Sequence, residues 1–294
     1  MYNYIIATSS TSDLSREYLE QHDIPCISYT YTVNDVLCID DCREESRRAV
    51  YDGMRKGNRL KTSMINEYTY HEFFKSLMEQ GKNVVFLDMS REMSASYSNS
   101  LAAAEEIKRE FPNNKLYIMD TYCISGGLGI LVKKVVEMAE NGASFDEVID
   151  WAETNKLKIA HRFTVDDLNY LKAGGRVSNA AALVGTILDV KPVLYVPDRG
   201  TLDVVKKVRG RKSALNTIIK SILGDLSRID ATGLQIDILH ADCLKDAEIV
   251  KNELLAAHPE IGAINISSLG VTIGAHCGPG LLAVFYLCDG RTPM

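Results

Sequence analysis

Three times in the first 140 residues a short apolar run leads into a hydroxyl- or glycine-rich turn and then into a helical stretch. Tyr4 to Ala7 runs into Thr8-Ser9-Ser10-Thr11-Ser12-Asp13 and a charged segment, Leu14 to His22. Val84 to Met89 runs into the serine-rich stretch Ser90 to Ser98 and then Leu101 to Phe111. Lys115 to Met119 runs into Asp120 to Gly129 and then Ile130 to Glu140, which stops at Asn141-Gly142, a common helix-ending pair. Apolar runs without alternation suit strands buried on both faces, and strands that alternate with helices form a parallel sheet with helices over it. The pattern predicts an α/β fold.

The tail alternates again, with helices at Ser213 to about Leu226 and Leu244 to His258, and strands at Gln235 to His240, Ala263 to Ser268 and Leu282 to Leu287. A length of 294 residues suggests two domains at roughly 150 residues each. Composition places the boundary near residue 155. Between Lys156 and Lys212 there are 12 Lys plus Arg against 5 Asp plus Glu, a net of +7 in a chain of net −6. The expected division is residues 1–155 and 156–294. The acidic total argues against a surface given over to nucleic acid, leaving only a local basic patch. No run of about 18 apolar residues offers a membrane span, and Met1 to Ala7 lacks the basic lead of a signal peptide. Seven scattered cysteines, an odd number without a secretory signal, suit a reducing cytoplasm.

Hydroxyl-rich turns recur at Thr8-Ser9-Ser10, at Thr62-Ser63, and at Ser90 with Ser94, Ser96 and Ser98. Turns at the carboxyl ends of parallel strands offer hydroxyls and free backbone N–H groups to a carboxylate or phosphate, although any one Ser or Thr is also explained as a helix cap. A turn with three glycines and a proline, Gly274-Ala275-His276-Cys277-Gly278-Pro279-Gly280, carries His276 as a hydrogen-bond donor. Adjacent side chains point apart, so His276 and Cys277 make a poor base and nucleophile. Cys38 and Cys42 have a C-x3-C spacing with no matching second pair, and no metal site is expected. Leu171 to Ser178 and Val208 to Lys212 carry arginines on glycine-containing turns, suited to gripping carboxylate or phosphate or simply to a solvated face. Gly174-Gly175 has the spacing of neither a Walker loop nor a dinucleotide fingerprint, so no nucleotide cofactor is expected. Ala180 to Leu188 is apolar enough to line a channel for an aliphatic ligand, and equally suited to plain core.

In order and spacing these blocks resemble the DegV family of bacterial fatty-acid-binding proteins, over nearly the whole chain. The matching segments are Thr8 to Leu14, Lys61-Thr62-Ser63, Met93 to Tyr97, Asp120-Thr121 with Gly126 to Gly129, Leu171 to Ser178, Lys191-Pro192, Lys206 to Lys212, and Gly274 to Gly280. The resemblance implies an N-terminal three-layer α/β/α domain with a parallel sheet and a C-terminal α/β domain with a mixed sheet. A long-chain fatty acid would lie between them, carboxylate at the interface and tail in the C-terminal domain. By the same resemblance Thr62, Ser94 and His276 hold the carboxylate, with Ser9, Ser63, Ser96, Gly274 and Cys277 around them. Arg176, Arg209 and Arg211 would dock the ATP-binding subunit of a fatty acid kinase, which turns the bound acid into an acyl phosphate. The chain would then be a cytoplasmic carrier and not a catalyst, with at most transient membrane-surface contact. It departs from the family pattern at Ser9, usually Asp, at Ala95 for Gly and at Ser96 for Thr. The alternatives are a small-molecule enzyme using Cys277 or Cys123, a kinase-like protein of the dihydroxyacetone kinase fold, and a nucleic-acid binder using the +7 segment.

Overall fold

The computed structural model describes residues 2–177 and 189–293. Its first sheet has four strands, β1 (Tyr4–Ser9), β2 (Cys26–Ile27), β6 (Asn83–Asp88) and β7 (Leu116–Asp120), in the order β2-β1-β6-β7 and all parallel. Between β2 and β6 the chain builds a small antiparallel sheet from β3 (Thr30–Val33), β4 (Val36–Ile39) and β5 (Leu60–Ser63), ordered β4-β3-β5. The second half holds a mixed six-stranded sheet of β8 (Ile159–Thr164), β9 (Val190–Tyr195), β10 (Asp203–Arg209), β11 (Gln235–His240), β12 (Ala263–Ser268) and β13 (Leu282–Leu287). Its order is β10-β9-β8-β13-β11-β12, and β11 with β12 is its one parallel pair among the described residues.

The first half carries α1 (Arg16–Gln21), α2 (Glu44–Arg55), α3 (Glu67–Met78), α4 (Ser96–Glu110), α5 (Gly126–Glu140) and α6 (Phe145–Asn155). Side chains set several starts: Ser15 accepts from the Tyr18 amide, Asn66 from the Thr69 amide, and Ser144 with Glu147 forms a capping box. The second half adds α7 (Leu168–Gly174), α8 (Arg211–Leu226), α9 (Leu244–Ala257) and α10 (Val271–Cys277).

Every residue of β1 is buried, as its unbroken apolar run requires when both sheet faces are covered. The first two turns of α5 are apolar all round because they have no solvent face, and ten of its residues, from Gly126 to Ala139, are buried; Lys133, Lys134, Glu137 and Glu140 give its C-terminal half a polar side. It packs against β1 and β6 of the parallel sheet and against β8, β11 and β13 of the mixed one. One apolar cluster therefore runs through both halves, joining Leu128 and Leu131 to Leu239, Ala283 and Phe285. The boundary drawn from composition falls between α6 and β8.

Two local expectations are corrected. Thr62 and Ser63 do not form a turn; they end β5, paired with Tyr31 and Thr30 of β3. His276 sits on a helix, not in a turn, because Asp40 accepts hydrogen bonds from the backbone N–H (3.1 Å) and the hydroxyl (2.6 Å) of Thr272 and so caps α10. The glycines act after it: Gly278 and Gly280, both with positive φ, end the helix and redirect the chain into β13. The stretch Ala180 to Leu188 lies outside the described residues.

Candidate functional site

In the order β2-β1-β6-β7 the connections after β1 and β6 lead to opposite sides, so a crevice opens beyond the carboxyl ends of these two strands, where open α/β sheets bind ligands. The second half closes this crevice with β8, β13, α7 and α10, leaving a cavity of about 380 Å³. That is within the range of roughly 300–1,000 Å³ common to small-molecule sites. Most of the wall is apolar, with Met89, Phe163, Leu171, Leu281, Ala283 and Phe285 among its members. Thr62, Ser63, Ser94, Arg176 and His276 form one polar group in the wall, while Ser125, His161 and Thr272 are further polar members. The end with the first group meets solvent, since Ser63, Met64, Ala95 and Arg176 are exposed while the apolar wall is buried.

Thr62 Oγ1 and His276 Nε2 lie 2.8 Å apart, so β5 and α10 join across the cavity rim. Gly174 at the end of α7 makes room for the imidazole: a Cβ there would stand 2.5 Å from His276 Nδ1. Burial and then the nearby Arg176 charge push the His276 pKa down to about 4. At neutral pH the ring is uncharged and offers one N–H and one lone pair. Cys277, next in sequence, also lines the cavity, but burial lifts its thiol pKa to about 12 and leaves it a poor nucleophile.

Ser94 precedes α4 and accepts from the Ser96 backbone N–H (3.1 Å), while its hydroxyl donates to Ser96 Oγ (3.0 Å). Ser96 Oγ also accepts from the Ile65 N–H and ties this turn to the segment after β5. Ser96 is fully buried behind Ser94 and is not part of the wall. Gly274 faces Tyr51, whose hydroxyl would lie 2.1 Å from a Cβ there, and is likewise outside the wall.

Ser9 is deeper still: its hydroxyl donates to Asp88 Oδ1 at 2.8 Å, and Tyr70 donates to Asp88 Oδ2 at 3.1 Å. A buried carboxylate therefore does stand at this point of the fold, supplied by β6. Burial holds the Asp88 pKa up at about 6, against an ordinary 3.8. The unfolded chain ionises Asp88 through the lower value, so its contribution to stability is complete below about pH 4 and is lost as pH rises through 6. Asp88→Asn removes this dependence. Relative to the variant, the wild type is expected to lose on the order of 3 kcal/mol between pH 4 and pH 8 in urea unfolding. Parallel profiles for the two proteins would show that Asp88 ionises normally.

The three arginines assigned together from sequence separate in the structure. Arg176 lines the cavity, with its Nε donating to the Met93 carbonyl at 3.3 Å. Arg211 is half-buried at the start of α8, bonded to Asp246 at 2.8 Å and to Asp166 at 3.4 Å. Arg209 is exposed on β10, the edge strand of the mixed sheet, with Lys206 and Lys207 beside it. Among the described residues no three His, Cys, Asp or Glu side chains are grouped to hold a metal ion.

His161 is a cavity residue that sequence reasoning missed. Its Nε2 accepts from the Ile124 N–H (3.2 Å) and its Nδ1 bonds the Ile159 carbonyl (3.0 Å), which fixes a neutral ring protonated at Nδ1. Burial, and then the Arg291 charge, drive its pKa well down. Gly127 allows the approach, since a Cβ there would meet Nε2 at 2.1 Å. The ring packs edge-on to Phe285 and serves as wall.

The fold and site together define a protein of two α/β halves with an apolar cavity between them and hydroxyls, an imidazole and a guanidinium at the cavity's open end. Over residues 4–289 the chain matches the family described as "Uncharacterised protein, DegV family". It belongs to that family. A DegV domain-containing protein of Clostridium perfringens is 35% identical over 294 residues, covering 100% of both chains. Among solved structures, a DegV lipid binding protein from Thermotoga maritima is 25% identical with a TM-score of 0.82, over 99% of this chain and 100% of that one. A stearic-acid-binding protein from Eubacterium ventriosum shares the fold, with a TM-score of 0.86 at 23% identity over 97% of this chain and 98% of its own. No helix among the described residues is long and apolar enough to cross a membrane.

Proposed function

We propose that this chain binds a long-chain fatty acid, with the carboxylate at the open end of the cavity and the tail along the apolar wall, and that it acts as a carrier. The observation that carries this reading is the polarity of the cavity: donors on Thr62, Ser94, His276 and Arg176 at the solvent end, and a buried wall of Met, Leu and Phe beyond them. An aliphatic chain gains about 0.8 kcal/mol per CH₂ buried there, while the carboxylate keeps charge-assisted hydrogen bonds at the rim. The lipid binding of the Thermotoga maritima relative supports the ligand class. Mass spectrometry of an organic extract of the purified protein tests it, with recovery of about one fatty acid per chain as the expected result. A protein that yields no lipid and takes none up from solution would overturn the reading.

The carrier role rests on the thiols and imidazoles at the cavity. Cys277 in the wall and Cys123 outside it are buried with raised pKa values, and His161 is locked as a neutral hydrogen-bonded wall residue. Chemistry on the carboxylate then falls to a partner, proposed here as a fatty acid kinase subunit that transfers a phosphoryl group from ATP to the acid. Exposure of the polar end to solvent supports such presentation, and Arg209 on the basic edge strand β10 is the arginine best placed to dock it.

Thr62→Ala and Ser94→Ala are each expected to weaken fatty-acid binding by roughly 1–3 kcal/mol, because each removes a hydroxyl from a partly buried charged group, the Ser94 hydroxyl turning from Ser96 to the carboxylate when the acid binds. Unchanged titration curves for both variants would move the carboxylate elsewhere.

A further inference from the structure

Five buried side-chain polar atoms have no hydrogen-bond partner among the described residues: Ser12 Oγ, Asp13 Oδ1, Tyr29 Oη, Asp40 Oδ1 and Arg47 Nε. Of these residues only Tyr29 belongs to the cavity wall. The other four cluster where α2 and the turn after β1 meet α10, away from the ligand space. A buried hydroxyl without a partner is costly in the empty protein, and a site that receives a polar ligand is the place where such a cost is recovered.

The position of Tyr29 is fixed from both sides. Its N–H donates to Ser10 Oγ at 3.0 Å, and its carbonyl accepts from the Asp40 N–H at 2.9 Å. The residue is 2% exposed, and its phenol oxygen stands near the hydroxyls of Ser94 and Ser96 at the polar end of the cavity and near that of Tyr70, which donates to Asp88. Ser94 donates to Ser96, and Ser96 accepts from both Ser94 and the Ile65 N–H. Tyr29 Oη makes no hydrogen bond of ordinary geometry with these neighbours, and it stands at the end where a carboxylate would arrive. Burial raises its pKa, so the proton stays on the oxygen at any physiological pH.

We propose that Tyr29 is a headgroup contact of the cavity, its phenol O–H donating a hydrogen bond to a carboxylate oxygen of the bound acid alongside Thr62, Ser94 and His276. This assignment rests on the fatty-acid reading above. It explains why an aromatic side chain with a polar tip stands where the apolar wall meets the polar end: the ring continues the apolar surface and the hydroxyl ends it.

Tyr29→Phe deletes the one oxygen and keeps the ring, so the test does not depend on a disruptive change. Two readouts are needed, the thermal midpoint of delipidated protein and the affinity for a saturated long-chain fatty acid by titration. The expected result is an unchanged or raised midpoint, because an unpartnered buried hydroxyl is removed, together with a 5- to 30-fold loss of affinity. A lowered midpoint with unchanged affinity would overturn the proposal, since the hydroxyl would then serve the fold alone. An unchanged affinity with an unchanged midpoint would overturn it too. If wild-type protein fails to bind the acid at all, the fatty-acid reading itself falls, an outcome distinct from tight binding by both proteins, which removes only Tyr29.

Discussion

Arg47→Met is expected to lower the stability of the folded protein by roughly 3–5 kcal/mol, the range for removing one member of a buried charged network. Arg47 is 2% exposed on α2, and its guanidinium donates to the carbonyls of Asp13 (3.2 Å), Leu14 (3.0 Å) and Ser268 (2.8 Å). It thus ties the turn after β1 to the end of β12, joining the two halves. Its charge also faces Asp13 and Asp40, lowering a carboxyl pKa that burial raises at both. Without it three carbonyls lose a donor and two buried acids lose their counter-charge. Methionine fills the space without replacing either. Urea unfolding at neutral pH measures the loss, and a change under about 1 kcal/mol would mean that the guanidinium has no such role.

The second large effect concerns the ligand. Arg176→Glu is expected to weaken fatty-acid binding by on the order of 100-fold or more, because it removes a cation from the cavity rim and puts a carboxylate against the incoming carboxylate. Arg209→Glu, on the exposed edge strand, is the control and is expected to leave lipid affinity alone. The contrast decides between two roles for Arg176. If its charge reversal spared lipid binding and cost the interaction with a kinase subunit, it would rejoin Arg209 as a docking residue.

Parts of the fold were legible because they depend on local pattern. The strands β11, β12 and β13 begin and end where their apolar runs do. The region from residue 23 to 83 was not, and it holds the small sheet and two helices. Thr30-Tyr31-Thr32-Val33 does alternate, but β4 and β5 expose Leu37, Ile39, Lys61 and Ser63 on one face, so composition there resembles a loop. Thr62 was singled out for its hydroxyl while its strand went unread. The placement of His276 on a helix was hidden for another reason: the group that caps α10 is Asp40, more than 230 residues earlier in the chain. Tyr29 carried no motif at all. Its one distinguishing property, a hydroxyl left over after its neighbours have paired, exists only once the chain has folded.

The apolar helix α5 settles how the cavity can be reached. Because both sheets pack on it, swinging the halves apart would strip Leu128 and Leu131 from Leu239, Ala283 and Phe285 and expose the apolar first two turns of the helix. The apolar surface so exposed opposes a clamshell opening. The weaker seam is the rim, where β5 meets α10 through the single Thr62–His276 bond. If the proposed fatty acid is the ligand, its exchange is expected to need only the parting of this latch, with the body of the protein staying shut.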